Sequence, residues 1–123
     1  MAAKRVLVVD DNPGMVRLIQ KRLEADGHAV TTMNSSLEVL AALDAGSRFD
    51  VYVLDVKMQP GEPHGLSLAK MVESRHPAAA FIFVTGDPDL AAHEALAGRT
   101  VFPKPLDFAA LRRAVAEAAP SQL

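Results

Sequence analysis

The chain has 123 residues, 50% hydrophobic and 23% charged, with a net charge of −2: enough for the core of one domain, and without the basic field that would draw it to nucleic acid or an anionic membrane. Cysteine is absent, which excludes disulfides, thiolate metal sites and cysteine nucleophiles together and fits a reducing cytosol. The apolar run after MAAKR is too short for a signal peptide, and no run approaches membrane-spanning length.

Val6–Val9 is the first apolar run and reads as a central strand, followed at once by Asp10 and Asp11. Asn12 before Pro13 opens a helix, with Asn as the N-cap and Pro at the first helical position. Val16, Ile19 and Leu23 recur at helical spacing, Leu18 widens the stripe, and Gly27 stops it. His28–Thr32 is a short, more polar strand suited to a sheet edge. Ser35 and Glu38 offer a capping box, after which Leu37, Leu40 and Leu43 carry a second helix to Gly46. Phe49–Leu54 reads as a strand buried on both faces, and it runs straight into Asp55.

The long loop VKMQPGEPHG follows, then a helix over Leu66–Arg75 that ends at His76-Pro77. Ala80–Val84 is the fourth strand, with Thr85 at its end. A weak, alanine-rich helix is expected over Leu90–Ala97, and a very short fifth strand over Thr100–Phe102, with Lys104 close behind. Asp107 caps a last helix with Leu111 and Val115 on one face, and Pro120 closes it. Short apolar runs alternating with helical patterns make five βα units, an α/β domain on a parallel sheet. The expectation is a single domain over residues 1–123, with no output domain attached.

Parallel strands joined by right-handed crossovers share one edge for all their C-terminal ends, and ligand sites of open α/β sheets lie on that edge. Here that edge would carry Asp10, Asp11, Asp55, Thr85 and Lys104. Three carboxylates so close would repel by roughly 4 kcal/mol per pair at an effective dielectric near 20. Lys104 supplies one compensating charge. A divalent ion is the natural complement, and an all-oxygen donor set suits Mg²⁺ better than Zn²⁺. A metal, an ammonium and a hydroxyl around one carboxylate form a cradle for a phosphoryl group, which that carboxylate could accept as a nucleophile.

At this point the chain resembles the receiver domains of two-component response regulators, of the single-domain chemotaxis-regulator kind. The matching residues are the acidic pair in VLVVDDN, Asp55 in YVLD, Thr85-Gly86 after a strand, and Lys104-Pro105 near the end. The resemblance covers essentially the whole chain. It implies a doubly wound, flavodoxin-like sheet in the strand order 2-1-3-4-5, with Asp55 as phosphoacceptor for a histidine kinase or a histidine phosphotransfer protein. It implies Mg²⁺ bound by Asp11, Asp55 and the backbone carbonyl of Lys57, with Asp10 holding a metal-bound water. Thr85 would hydrogen-bond the phosphoryl group and move towards it. Lys104 would pair with a phosphoryl oxygen, and the Lys104-Pro105 bond would be cis.

The same resemblance implies a cytoplasmic switch rather than an enzyme, with only self-phosphotransfer and slow autodephosphorylation. It would signal through a downstream protein, as a monomer or a phosphorylation-dependent dimer. Val101, Phe102 and Pro105 are the expected switch residues, and at Val101 the chain departs from the family. Val101 stands where an aromatic residue is common, and Phe102 points to the opposite face of its strand. The loop after Asp55 is longer than usual, and the segment between Thr85 and Lys104 is shorter. Lys57 and Asp87 flank the phosphoryl position and are expected to pair across its mouth, hindering the hydrolytic water.

Three other readings stay open. A phosphohydrolase of the haloacid-dehalogenase type would need an acid two residues after the nucleophile, where Lys57 stands. A flavodoxin-like nucleotide module would carry Ser, Thr and Gly after the first strand, where DDNPG places two carboxylates. A degenerate receiver would bind partners without phosphorylation. The four histidines, 28, 64, 76 and 93, lack metal-ligand spacing and read as solvated. Met15, Met58 and Met71 read as core or gap-filling residues, and Arg112-Arg113 as a solvated face.

Overall fold

The computed structural model describes residues 3–57, 64–87 and 99–118. The expected helix over Leu90–Ala97, Met58, His93 and the closing Pro120 lie outside them. Five strands form one parallel sheet: β1 (Arg5–Val9), β2 (Ala29–Met33), β3 (Val51–Asp55), β4 (Ala80–Thr85) and β5 (Thr100–Pro103), in the order β2-β1-β3-β4-β5. Four helices are described: α1 (Pro13–Ala25), α2 (Ser36–Asp44), α3 (Gly65–Arg75) and α4 (Phe108–Glu117). Strand order and fold class follow the expectation, with boundaries displaced by one or two residues.

The helix starts follow from their caps. Asn12 Oδ1 accepts the Met15 N–H at 3.1 Å, Ser35 Oγ the Glu38 N–H at 3.2 Å, and Asp107 Oδ1 the Ala110 N–H at 3.1 Å. Glu38 reaches back to the Asn34 N–H at 3.3 Å, closing the capping box one residue early. Gly27 and Gly46 follow α1 and α2 at φ +93° and +94°, a backbone that a side chain would strain.

Alternation along the strands builds two cores. Leu7, Val9, Tyr52, Leu54 and Phe83 face α2 and α3, where Val39, Leu43, Leu68 and Val72 meet them. Val6, Val8, Val51, Val53, Ile82 and Val84 face α1 and α4, against Ile19, Leu23, Leu111 and Val115. Each fully buried side chain of this size contributes about 1.5–3 kcal/mol, so the central strands β1, β3 and β4 are pinned from both sides. Val101 packs on the first core and Phe102 on the second, the opposite orientations expected from the strand period.

Several expectations are corrected. Leu18, Leu37 and Met71 are exposed, at 45%, 57% and 41%; the buried stripes run through Ile19 and Leu23 in α1 and through Val39 and Leu43 in α2. His28 is buried rather than solvated, its Nδ1 accepting the Lys4 N–H at 3.1 Å. His64 is exposed, as expected, and also caps α3, accepting the Ser67 N–H on Nδ1. Arg112 is more than a solvated charge: it makes a two-pronged pair with Asp26 at 2.6 and 3.0 Å, joining α4 to the end of α1. That partner holds the Asp26 carboxyl below its usual range.

Candidate functional site

All five strands point the same way, so their C-terminal ends form one rim. Asp10 and Asp11 follow β1, Asp55 ends β3, Thr85 ends β4, and Lys104 follows β5. β1 pairs with β3, β3 with β4 and β4 with β5, with Asp55 opposite Val84 and Thr85 opposite Pro103. That register brings residues from both ends of the chain to one place. Lys104 Nζ lies 3.1 Å from Asp10 Oδ2 and 3.4 Å from Asp55 Oδ2. One carboxylate oxygen from each of Asp10, Asp11 and Asp55 lies within 4.8 Å of the others.

Backbone hydrogen bonds orient several of these groups. Asp10 Oδ1 accepts the Asn12 N–H at 2.9 Å, and Asp55 Oδ1 accepts the Lys57 N–H at 3.1 Å. Thr85 Oγ1 accepts the Asp87 N–H at 3.1 Å, and the Thr85 carbonyl accepts the Lys104 N–H at 2.8 Å. A cavity of about 490 Å³ opens above, lined by Asp11, Asp55, Lys57, Thr85, Gly86, Asp87 and Lys104. Asp10, Asp55 and Thr85 are buried, whereas Asp11 and Lys57 face solvent. The Lys104-Pro105 peptide is cis.

The charges are unevenly matched. Burial pushes the Asp55 carboxyl up, and the neighbouring Asp10 charge pushes it further; Lys104 and the Lys57 N–H pull the other way and do not cancel the rise. Burial alone would lower Lys104, but its hydrogen bond to Asp10 and the charges of Asp55 and Asp10 outweigh that and raise it. Three carboxylates with one facing ammonium still lack a positive charge. Their donors are all oxygen, one of the three residues faces solvent, and an open cavity adjoins them. This donor set fits a hard divalent cation.

Every residue expected at the site is therefore placed on one rim except the switch pair. Val101 and Phe102 sit further down β5, one on each core. Gly86, part of the Thr85-Gly86 landmark, lines the cavity, whereas Gly65, which lies against the backbone of Asp55, escaped the sequence reading. Gly65 carries no chemical signal in sequence, because its contribution here is the space that it leaves.

Comparison with known proteins agrees with this geometry. The pattern of the response regulator receiver domain family matches residues 6–116. The DNA-binding transcriptional regulator NtrC of Salmonella typhimurium is 37% identical over 106 residues, covering 84% of this chain and 22% of that protein. The transcriptional regulatory protein GlrR of Escherichia coli is 30% identical over 116 residues, covering 92% of this chain and 26% of that protein. The chain thus spans about a quarter of these relatives' length. Among solved structures, the response regulator TrrA of Thermotoga maritima, in complex with Mg²⁺ and BeF, superposes with a TM-score of 0.80 at 25% identity, over 93% of this chain and 97% of that one. Among the described residues, no helix is long and apolar enough to cross a membrane. With strand order, rim residues and family pattern in agreement over most of its length, the chain belongs to the response regulator receiver domains of two-component signalling systems.

Proposed function

We propose that this receiver domain accepts a phosphoryl group on Asp55 from a histidine kinase or a histidine phosphotransfer protein, with Mg²⁺ held by Asp11 and Asp55 and supported by the neighbouring Asp10. The observation that carries the reading is the Lys104 ammonium between Asp10 and Asp55 at the mouth of the rim cavity. An Asp55 carboxylate oxygen forms the new bond to phosphorus while the phosphorus–nitrogen bond of the donor's phosphoimidazole breaks. The electron pair stays on the ring nitrogen, which takes up a proton from solvent. Burial and the Asp10 charge raise the basicity of the attacking carboxylate. When bound, Mg²⁺ neutralises carboxylate and phosphoryl charge, and the Lys57 carbonyl is assigned to its coordination with Asp11 and Asp55.

Lys104 stands close enough to Asp55 to reach an oxygen of a phosphoryl group attached there. Thr85 Oγ1 already accepts the Asp87 N–H, so its own hydrogen is the part that can serve a phosphoryl oxygen. Lys57 and Asp87 line the same cavity, and we assign them a shielding role against hydrolytic water. A receiver is a signalling domain rather than a turnover enzyme; what it performs is self-phosphotransfer and slow loss of the group. The added charge of about −1.5 to −2 is the signal, read by a protein partner. We assign the exchange to the cytoplasm.

Acetyl phosphate with Mg²⁺ tests the assignment. The intact mass of the protein should rise by one phosphoryl group, and Asp55→Asn should take up none. Uptake by the Asn variant, or none by the parent with either acetyl phosphate or beryllofluoride, would end this reading.

A further inference from the structure

The N-terminus of α3 rests directly on the backbone of the proposed phosphoacceptor. Gly65 is buried, and its N–H donates to the Val56 carbonyl at 2.9 Å. A Cβ at this position would stand 2.2 Å from the Asp55 carbonyl oxygen, and 3.0 Å from both the Asp55 carbonyl carbon and Val56 Cα. All three are backbone atoms, so no side-chain rotation relieves the contact. The conformation is not the reason for glycine here, because the described positive-φ glycines are Gly27 and Gly46. Space is the reason.

The residues that Gly65 touches are the ones that set the site. The Val56 N–H donates to the Val84 carbonyl at 3.0 Å, tying the segment to β4. The Lys57 N–H then turns back onto Asp55 Oδ1 at 3.1 Å. The Asp55–Lys57 turn is thereby held by β4 on one side and by the bare Cα of Gly65 on the other. We infer that Gly65 is a positioning residue for phosphoryl acceptance: its missing side chain lets α3 dock on Asp55 and fixes the carboxylate and the Lys57 backbone relative to Asp11 and Lys104. This rests on the function proposed above and adds to it the element that sets its geometry. The clash falls about 0.8 Å short of the 3.0 Å that real Cβ contacts respect, so Asp55 must shift or α3 must lift. A displacement near 1 Å at a reacting group can cost about 100-fold in rate.

The test compares Gly65→Ala with Gly46→Ala. Gly46 has a positive φ and nothing within 4 Å of an added Cβ, so its alanine variant carries backbone strain remote from the site. Both variants should melt at lower temperature than the parent. Below both melting transitions, Gly65→Ala should load from acetyl phosphate about 10–100-fold more slowly. Its Mg²⁺ titration, followed on the Lys57 and Asp55 amide resonances, should move to higher concentration. Gly46→Ala should match the parent in both. A purely structural glycine would leave rate and Mg²⁺ midpoint unchanged in the folded fraction, and that result overturns the inference.

Should Gly65→Ala not fold, the parent decides by amide exchange. Adding Mg²⁺ and beryllofluoride should slow exchange of the Gly65 amide together with that of Lys57. Protection of Lys57 with no change at Gly65 overturns the inference. A parent that takes up neither phosphoryl group nor beryllofluoride overturns the proposed function and this inference with it, whereas a parent that loads beside an equally fast Gly65→Ala removes the positioning role alone.

Discussion

Asp55 carries its charge at the end of a strand whose five residues are all buried, beside a second buried carboxylate and a single ammonium. Burial is the largest influence on it and Asp10 the next, and both favour the protonated form. The folded state therefore holds the Asp55 proton more tightly than the unfolded chain does. The resulting contribution to stability is present below the unfolded-state carboxyl value and is lost as pH rises through the folded-state value, leaving an ionised group that opposes folding at neutral pH. Asp55→Asn should accordingly raise the melting temperature at neutral pH in the presence of chelator, by about 4 °C for each kcal/mol of repulsion relieved. The gap should narrow as the pH is lowered into the acidic range, where the parent's carboxyl is protonated. It should narrow again when Mg²⁺ stabilises the parent by mass action and leaves the variant with less. A lower melting temperature for Asp55→Asn in chelator would mean that the Lys104 pair outweighs burial and the Asp10 charge together.

At the scale of elements, the turns after β3 and β4 bring Lys57 and Asp87 to the lining of one cavity. In the function proposed above, the two side chains restrict the approach of water to a phosphoryl group on Asp55. Lys57→Asn should lose that group several-fold faster than the parent, measured as the decay of phosphorylated mass after the donor is removed. Decay no faster than the parent's would count against the shielding role. How far such features were legible depends on how local their causes are. The Asn12, Ser35 and Asp107 caps each join residues three apart, so sequence carries them in full. The rim residues were legible because parallel strands leave no choice about which ends meet. Helix faces were less so: Leu37 sits about 200° round the helix from Val39, and three leucines at regular spacing conceal that the sheet selects Val39 and Leu43. His28 is buried because Lys4 meets it across 24 residues, and the bidentate Arg99–Glu73 pair at 3.0 and 3.1 Å spans 26. No local pattern encodes either. The contact of Gly65 with Asp55 is of the same kind, since it arises only once α3 has docked.

For the molecule as a whole, the open question is what joins the first strand to the last described helix, since the sheet alone does not. Lys4, just ahead of β1, answers it. Its ammonium donates to the carbonyls of Val115 at 2.7 Å and Ala116 at 2.8 Å, and to that of Ala118 as well. Three donors meet three acceptors at the negative end of α4, where a cation is favoured twice over, by the carbonyls left unpaired there and by the helix dipole. Asp26 with Arg112 and the Arg22 guanidinium over the Phe108 ring hold the same helix to α1. Lys4→Met keeps the apolar stem and removes the charge, so its cost reports the hydrogen bonds rather than the packing. Bonds to a charged donor contribute about 1.5–3 kcal/mol, and partial exposure places this set towards the lower end. Amide exchange in the last turn of α4 should quicken while the central strands stay protected, because the loss opens one element and leaves both cores intact. Lys4 precedes the N-terminal end of β1, whereas Asp55 lies at the opposite rim, so phosphoryl uptake from acetyl phosphate should match the parent's. Slower uptake in Lys4→Met would show that the two rims are coupled through α4, and unchanged exchange in its last turn would show that the ammonium does not hold the helix end.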